Sequence, residues 1–172
     1  MRRFRGFTLL EVMLASAAMI GVGAAVCSLM AAAGRSYRRS TARGEVAIQV
    51  SQSLQWVARD LQQAKDVVVV APHHLRILYP ARNADGTFNR SQTDTVNTIE
   101  YFRATSAGAV SATGSFLLRR EGAAGGRRLC RNVTNLSFTS DGNGSVTASA
   151  SASSPYGTSF AMTQRAMFMR NN

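Results

Sequence analysis

The sequence predicts an α+β fold, with a long N-terminal helix followed by an antiparallel β-sheet. A helix is indicated because no proline occurs before Pro72, and because the apolar residues up to Ala64 form first a continuous run and then a helical stripe. A sheet is indicated because short runs of β-branched and aromatic residues then alternate with turns rich in Gly, Asn and Asp. The 172 residues suffice for one modest domain in addition to the N-terminal segment.

The N-terminal segment at residues 7–34 is apolar apart from one charged residue, Glu11. It is longer than the about 20 residues that a helix needs to cross a bilayer. Arg2, Arg3 and Arg5 precede it, and the positive-inside rule would keep them in the cytoplasm. Further arginines follow directly after the segment, so the charge distribution alone does not fix its orientation.

Three interpretations of this segment compete. A secretory signal peptide would explain Ala31-Ala32-Ala33 as a cleavage site, but the apolar core of such peptides has only about 7–15 residues. An uncleaved membrane anchor explains the length but not Glu11, because a carboxylate at the centre of a membrane helix costs about 2.5–3.5 kcal/mol. The third interpretation is a membrane helix in which Glu11 has a specific, positively charged partner.

Residues 6–12, with the sequence GFTLLEV, resemble the class III signal of type IV pilins and pseudopilins. The resemblance implies that a prepilin peptidase in the membrane cuts after Gly6 and methylates the new amino terminus at Phe7. Residues 1–6 would then be a leader peptide, and the apolar segment would be retained. The resemblance also implies a single-pass protein of the cytoplasmic (inner) membrane with its head outside the cytoplasm. Assembly would then move it into a pilus or pseudopilus on the periplasmic side or at the cell surface.

The same resemblance gives Glu11 a partner. Cleavage would leave a positively charged α-amino group on Phe7, and Glu11 of one subunit could pair with that amine in a neighbouring subunit as their helices bundle. A buried charge is costly when it is alone and tolerated when it is paired. Such a salt bridge would favour one axial register between subunits. The expected partners are therefore the prepilin peptidase and other pilin or pseudopilin subunits.

The helix is expected to continue beyond the apolar segment to about Lys65. Its apolar residues step by three or four positions, which is the spacing of one buried helical face, and they are Val46, Val50, Leu54, Val57, Leu61 and Ala64. Trp56 lies off this stripe and is expected at the edge of a core, whereas Asp60 and Asp66 are expected to be surface charges. The predicted organisation is a leader at 1–6, an assembly helix at 7–34, an amphipathic continuation at 35–66 and a β-rich head at 67–172.

The head shows a series of strand-like runs separated by turns. Residues 67–70 fit either a first strand or the exit of the helix, and residues 83–89 fit a loop. The sequence DGNG at 141–144 is a strong hairpin signal. Residues 149–159 are small and polar, and the end of that stretch is expected to be a loop. Strands are expected at residues 75–79, 98–103, 115–120, 129–139, 145–152 and 160–170.

Several stretches narrow the resemblance to one kind of subunit. They are VARDLQQA at 57–64, IEY at 99–101, LLRREG at 117–122 and VTNLSF at 133–138. In that order they are similar to the J-type minor pseudopilin of type II secretion and to its minor pilin relatives in type IV pili and competence systems. A typical major pilin would carry two C-terminal cysteines, and a major pseudopilin an acidic calcium loop, but the head has only Cys130 and no acid after Asp141. The similarity implies a non-catalytic subunit at the fibre tip or in assembly initiation.

The chain is strongly basic, with 20 Lys and Arg residues against 9 Asp and Glu residues and a net charge of +11. This balance is typical of proteins that meet nucleic acid or an anionic membrane, and also of a solvated basic surface. Arg119, Arg120, Arg127 and Arg128 are the candidate contacts with DNA or an anionic surface. A DNA-binding minor pilin for natural transformation is therefore one alternative function. A secreted or membrane-anchored protein unrelated to fibres is another.

The sequence contains no recognisable motif for catalysis or for a cofactor. His73 and His74 would point to opposite sides of a strand, and no Cys or acidic motif completes a metal set around them. No nucleophile elbow or phosphate-binding loop occurs. Cys27 lies in the apolar segment, so we expect no disulfide with Cys130. The sequence therefore favours a structural or binding protein without enzyme activity, metal or cofactor.

Overall fold

The computed structural model describes residues 8–167, without the side chains of residues 90, 91 and 95. The cleavage and methylation predicted at Gly6 and Phe7 lie outside the described residues. The end of the strand expected at residues 160–170 lies partly outside them as well.

The first element is the helix α1 (Leu9–Gln62), which is 54 residues long. Internal contacts divide the chain into two compact units, Met1–Thr41 and Ala42–Asn172, and α1 contributes to both. In the first unit, every residue from Thr8 to Thr41 is exposed. In the second unit, one face of the helix is buried. The change from an apolar to an amphipathic sequence therefore accompanies a change from an exposed to a half-buried helix.

Eight antiparallel strands follow the helix. They are β1 (Asp66–Ala71), β2 (His74–Arg82), β3 (Phe88–Ala104), β4 (Phe116–Glu121), β5 (Arg127–Arg131), β6 (Val133–Ser140), β7 (Ser145–Ser153) and β8 (Ser159–Met167). They form two sheets, one with the order β1-β2-β3-β4-β5 and one with the order β6-β7-β8. Within each sheet, every strand therefore pairs with its neighbours in sequence.

The prediction of a single strand at residues 129–139 is wrong, because the strand structure is interrupted at Asn132. Asn132 has a φ of 54°, in the left-handed region that Asn tolerates better than most residues. Its carbonyl accepts a backbone hydrogen bond from Ser153 at 2.9 Å. The break separates β5 from β6, and these two strands belong to different sheets.

The other strand predictions differ from the structure mainly at their boundaries. Residues 67–70 form a strand, β1, rather than a helix exit. The loop expected at 83–89 is wrong in its last two residues, because Phe88 and Asn89 begin β3. The hairpin at 141–144 is confirmed, since it joins the paired strands β6 and β7. The polar stretch at 149–159 stays in β7 as far as Ser153 before it turns.

The main core of the second unit is formed by α1 and both sheets. All six residues of the predicted apolar stripe are buried in one cluster with inward-facing side chains such as Leu75, Tyr101 and Phe138. Trp56 is partly buried against this cluster, at the core edge as expected. The α+β fold class is confirmed, and a long apolar helix with antiparallel sheets packed against it is consistent with a pilin-like fold.

The opposite face of the five-stranded sheet carries a second, smaller apolar cluster. It consists of Phe102, Ala104 and Leu118, with Phe116 partly buried against them. Because side chains alternate along a strand, Tyr101 of β3 faces the main core while its neighbours Glu100 and Phe102 face the other side. The charged side chains of β3 and β4 are thereby sorted onto two faces of one sheet.

Candidate functional site

The first turn of α1 is closed by reciprocal hydrogen bonds between Thr8 and Glu11. The backbone N–H of Thr8 donates to Glu11 Oε2 at 2.9 Å, and the Thr8 hydroxyl donates to the same oxygen at 3.0 Å. The backbone N–H of Glu11 donates to Thr8 Oγ1 at 3.3 Å. This arrangement is a capping box, which satisfies backbone donors that a helix N-terminus leaves unpaired. The sequence signal for a capping box is a Thr three residues before a Glu, and Thr8 and Glu11 provide it.

The helix surface between Leu9 and Gly34 carries one charge, Glu11, and is otherwise apolar apart from Ser16 and Ser28, whose hydroxyls donate to carbonyls of the helix itself. Leu9 is 82% exposed and Met19 is 79% exposed in the isolated chain. Among the described residues, α1 is the one helix that is long and apolar enough to cross a membrane, by length and composition. A helix that is hydrophobic all round is typical of a membrane or of the inside of a helix bundle.

Arg119 belongs to a buried cluster with Asp60, named here the Asp60 cluster. Arg119 Nε donates to Asp60 Oδ2 at 2.8 Å, and the Tyr101 hydroxyl donates to the same oxygen at 2.5 Å. Arg119 Nη1 also pairs with Glu121 at 3.1 Å. The expectation that Asp60 is a surface charge is wrong, because Asp60 is 6% exposed. Its position three residues after the buried Val57 places it on the buried face of α1.

Both partners of Asp60 have shifted pKa values. Burial raises the pKa of Tyr101, and the hydrogen bond to Asp60 raises it further. Burial would lower the pKa of Arg119, but the hydrogen bond and the charge of Asp60 outweigh burial, so this pKa is raised. Tyr101 therefore stays neutral and Arg119 stays charged at neutral pH. The Asp60 cluster is a fixed connection between the end of α1 and the strands β3 and β4.

Arg120 belongs to a second cluster, on the opposite face of the sheet, named here the Glu100 cluster. Glu100 is 6% exposed and accepts hydrogen bonds from Arg76 at 2.8 Å and from two nitrogens of Arg120. His74 Nε2 lies 3.7 Å from the same carboxylate, and it is buried without a hydrogen-bond partner in the described part of the chain. Burial would raise the pKa of Glu100, but the hydrogen bonds from Arg120 and Arg76 outweigh burial, so this pKa is lowered.

Arg127 and Arg128 are exposed side chains of β5. The guanidinium of Arg127 lies 5.5 Å from the Trp56 ring, and that of Arg128 lies 4.6 Å from the Phe116 ring. Arg128 also donates to the carbonyl of Ser106 at 2.8 Å. The four arginines predicted as a contact surface are therefore on neighbouring strands, but two of them neutralise buried acids. The sequence did not reveal this difference, because Asp60 and Glu100 approach them only through the tertiary fold.

The described residues offer no arrangement typical of a metal or nucleophile site. No group of three or more His, Cys, Asp or Glu side chains among residues 8–167 could hold a metal ion. Cys27 is exposed and Cys130 is buried, and both are free thiols. Burial raises the pKa of Cys130 to about 11, so this thiol stays protonated and is a poor nucleophile at neutral pH.

Comparisons with protein families, with curated proteins and with solved structures found no match for this chain. The two candidate sites are the N-terminal turn with its apolar helix surface, and the arginine-rich strands β4 and β5.

Proposed function

We propose that this chain is a non-enzymatic minor pilin or pseudopilin subunit. A prepilin peptidase cuts it after Gly6, and the subunit is built through its N-terminal helix into a type IV pilus or a type II secretion pseudopilus. Its place is at the fibre tip or in assembly initiation. The observation that carries the proposal is the signal at residues 6–12, which opens the long apolar segment at 7–34 with Glu11 as its one charged residue.

The exposed apolar surface of the helix supports this proposal, because contact between apolar side chains and water is unfavourable. Side chains such as Leu9, Met19 and Leu29 are largely exposed, and burial of apolar area is worth roughly 25 cal/mol per Å². The inner membrane would cover this surface before assembly, and neighbouring subunit helices would cover it afterwards. In both places Glu11 benefits from a cationic partner, which the amine of Phe7 supplies after cleavage.

The first test of the proposal is the N-terminus of the intact protein from native membranes, measured by mass spectrometry. We expect a chain that begins at N-methylated Phe7. A Gly6→Val variant provides the control, because it should keep residues 1–6 attached and should stay out of fibres. A chain that begins at Gly34 would show a conventional secreted domain instead, and the fibre function would be abandoned.

A pair of variants separates the helix-capping role of Glu11 from its proposed role between subunits. Glu11→Gln removes the charge but keeps an oxygen that can accept the hydrogen bonds of Thr8. Thr8→Ala weakens the cap but keeps the charge. We expect Glu11→Gln to reduce the share of the subunit recovered in sheared fibres, and Thr8→Ala to leave most of it. The reverse order would assign Glu11 to capping alone.

A second candidate function, DNA binding by the basic head, is favoured by the exposure of Arg127 and Arg128. Their joint replacement by Gln should weaken DNA binding and lower the slope of log affinity against log salt by up to about 1.8. Arg119 and Arg120 are unsuitable for this test, because their removal also breaks buried ion pairs. If the purified chain shows no salt-sensitive DNA binding, this second function is excluded.

A further inference from the structure

The only tryptophan of the chain is surrounded by three arginines. The guanidinium carbons of Arg127, Arg59 and Arg119 lie 5.5, 5.8 and 5.8 Å from the centre of the Trp56 ring. Arg59 comes from the last turn of α1, and Arg119 and Arg127 are opposite each other on β4 and β5. These four residues are named the Trp56 surface.

Two of the three arginines of the Trp56 surface have no acidic partner among the residues that the structure describes. Arg119 is paired with Asp60 and Glu121, but Arg59 and Arg127 form no ion pair among residues 8–167. All 9 Asp and Glu residues of the chain lie in that range, so the undescribed residues supply no acidic side chain that could pair with them. Like charges around one ring repel each other, and anionic groups bound at Arg59 and Arg127 would relieve this repulsion.

The Trp56 surface also has the composition of an interface centre. Trp and Arg are the residue types most enriched among those that dominate binding energies between proteins. Trp56 packs against the main core, so its ring is held in place before a partner binds. Gln52 and Gln55 line an open cleft beside it and supply amide groups that can bond to a peptide backbone.

The arrangement favours separate carboxylate side chains over a row of phosphates. Glu121 is exposed and lies 3.1 Å from Arg119 Nη1, so a negative charge is part of the rim of this surface. A nucleic acid strand would bring several phosphates against this charge, whereas the acidic side chains of a peptide can be spaced to meet Arg59 and Arg127. We propose that the Trp56 surface docks an acidic segment of a partner protein, with Asp or Glu side chains paired to Arg59 and Arg127 beside Trp56.

The proposal can be tested with the intrinsic fluorescence of Trp56, because the chain has no other tryptophan. The full chain in a non-ionic detergent is titrated with a capped peptide of alternating Glu and Ala, with the matching Gln and Ala peptide, and with a ten-nucleotide oligothymidylate. We expect saturable binding of the Glu peptide, little binding of the Gln peptide and weaker binding of the oligonucleotide.

Variants then assign the binding to the arginines. Arg59→Gln and Arg127→Gln should each weaken the Glu peptide about tenfold, which is the scale of one lost charge-assisted hydrogen bond. Arg82→Gln is the matched control, because Arg82 is an exposed arginine that also stacks on an aromatic ring, Phe88, at 5.0 Å. It should change the affinity by less than about twofold.

Three results would overturn the proposal. They are no saturable signal with the Glu peptide, an equal loss of affinity in Arg82→Gln, and tighter binding of the oligonucleotide than of the Glu peptide. The last result would assign the surface to nucleic acid. The proposal does not depend on the fibre function, since the N-terminal mass of the native protein tests that function separately.

Discussion

Two buried carboxylates, Asp60 and Glu100, decide how the arginines of β4 are used. Each carboxylate accepts hydrogen bonds from two other residues. The Asp60 carboxylate is on the side of the five-stranded sheet that faces α1, and the Glu100 carboxylate is on the opposite side. A buried acid is tolerated because its partners replace the water it has lost. The adjacent residues Arg119 and Arg120 are therefore parts of the folded framework, although in the sequence they look like surface charge.

The buried ion pair of the Asp60 cluster is expected to stabilise the fold. Asp60→Ala leaves Arg119 largely buried without its main partner, and we expect the free energy of unfolding to fall by about 2–4 kcal/mol. Asp66→Ala removes an exposed acid at the start of β1 and should cost less than about 0.5 kcal/mol. Denaturant unfolding of the full chain in detergent, followed by far-ultraviolet circular dichroism, measures both. Similar losses in the two variants would contradict the role given to Asp60.

Protonation of His74 is expected to make the free energy of unfolding depend on pH. Burial lowers the pKa of His74 below its ordinary value of 6.5, and the charge of Glu100 only partly offsets this. As the pH falls below about 6.5, the unfolded chain therefore takes up a proton that the folded chain resists, and stability is lost. We expect the free energy of unfolding to fall between about pH 7 and pH 5.5, and to fall less in His74→Phe. Parallel pH profiles for the two proteins would rule out this contribution.

Arg103 of β3 holds the long β3–β4 connection, residues 105–115, in place through hydrogen bonds. Its guanidinium donates to the carbonyls of Gly114, of Ala112 at 2.7 Å and of Val133 at 2.9 Å. Three carbonyls from two chain segments are thereby joined to one side chain. The connection ends against the backbone of Ala104, where Gly114 leaves no room for a side chain.

A side chain at Gly114 is expected to destabilise the fold strongly. A Cβ added there would overlap the backbone of Ala104, which cannot move as a side chain can, so Gly114→Ala should cost more than about 2 kcal/mol of stability. Gly125 in the β4–β5 turn has open space around it, and Gly125→Ala should be neutral or stabilise by up to about 1 kcal/mol. Thermal unfolding of the two variants side by side decides the matter, and equal midpoints would refute the packing argument.

The elements that were predicted correctly are those whose signal is local and periodic. The stripe from Val46 to Leu61 predicted the buried face of α1, and the DGNG sequence predicted the β6–β7 hairpin. The break at Asn132 was missed because one residue with positive φ does not disturb the apolar alternation around it. The Glu100 cluster was missed because Arg76, Glu100 and Arg120 meet only through strand register, which the sequence does not display.

Within residues 8–167, all buried residues belong to one of the two units. Ala42 is the first buried residue along the described chain, and none of residues 8–41 contributes to the core. The stability of the second unit therefore does not depend on side chains of the first.

A shortened chain tests this separation. We expect residues 35–172 to be soluble without detergent and to unfold at the same denaturant midpoint as the full chain when both are measured in the same detergent. The physical reason is that the truncation removes exposed apolar surface but no core contact. Aggregation of the shortened chain, or a clearly lower midpoint, would show that residues before 35 support the fold.

The strictly sequential strand order has a consequence for how the protein reaches its native state. Each strand pairs with the one made just before it, and no sheet waits for a distant segment to be completed. The exception is at Asn132, where the chain leaves one sheet and starts the next. A chain that emerges N-terminal end first can therefore add its strands in order, each to the edge formed by the strand before it. Such an order allows the early strands of each sheet to pair before the last residues of the chain have appeared.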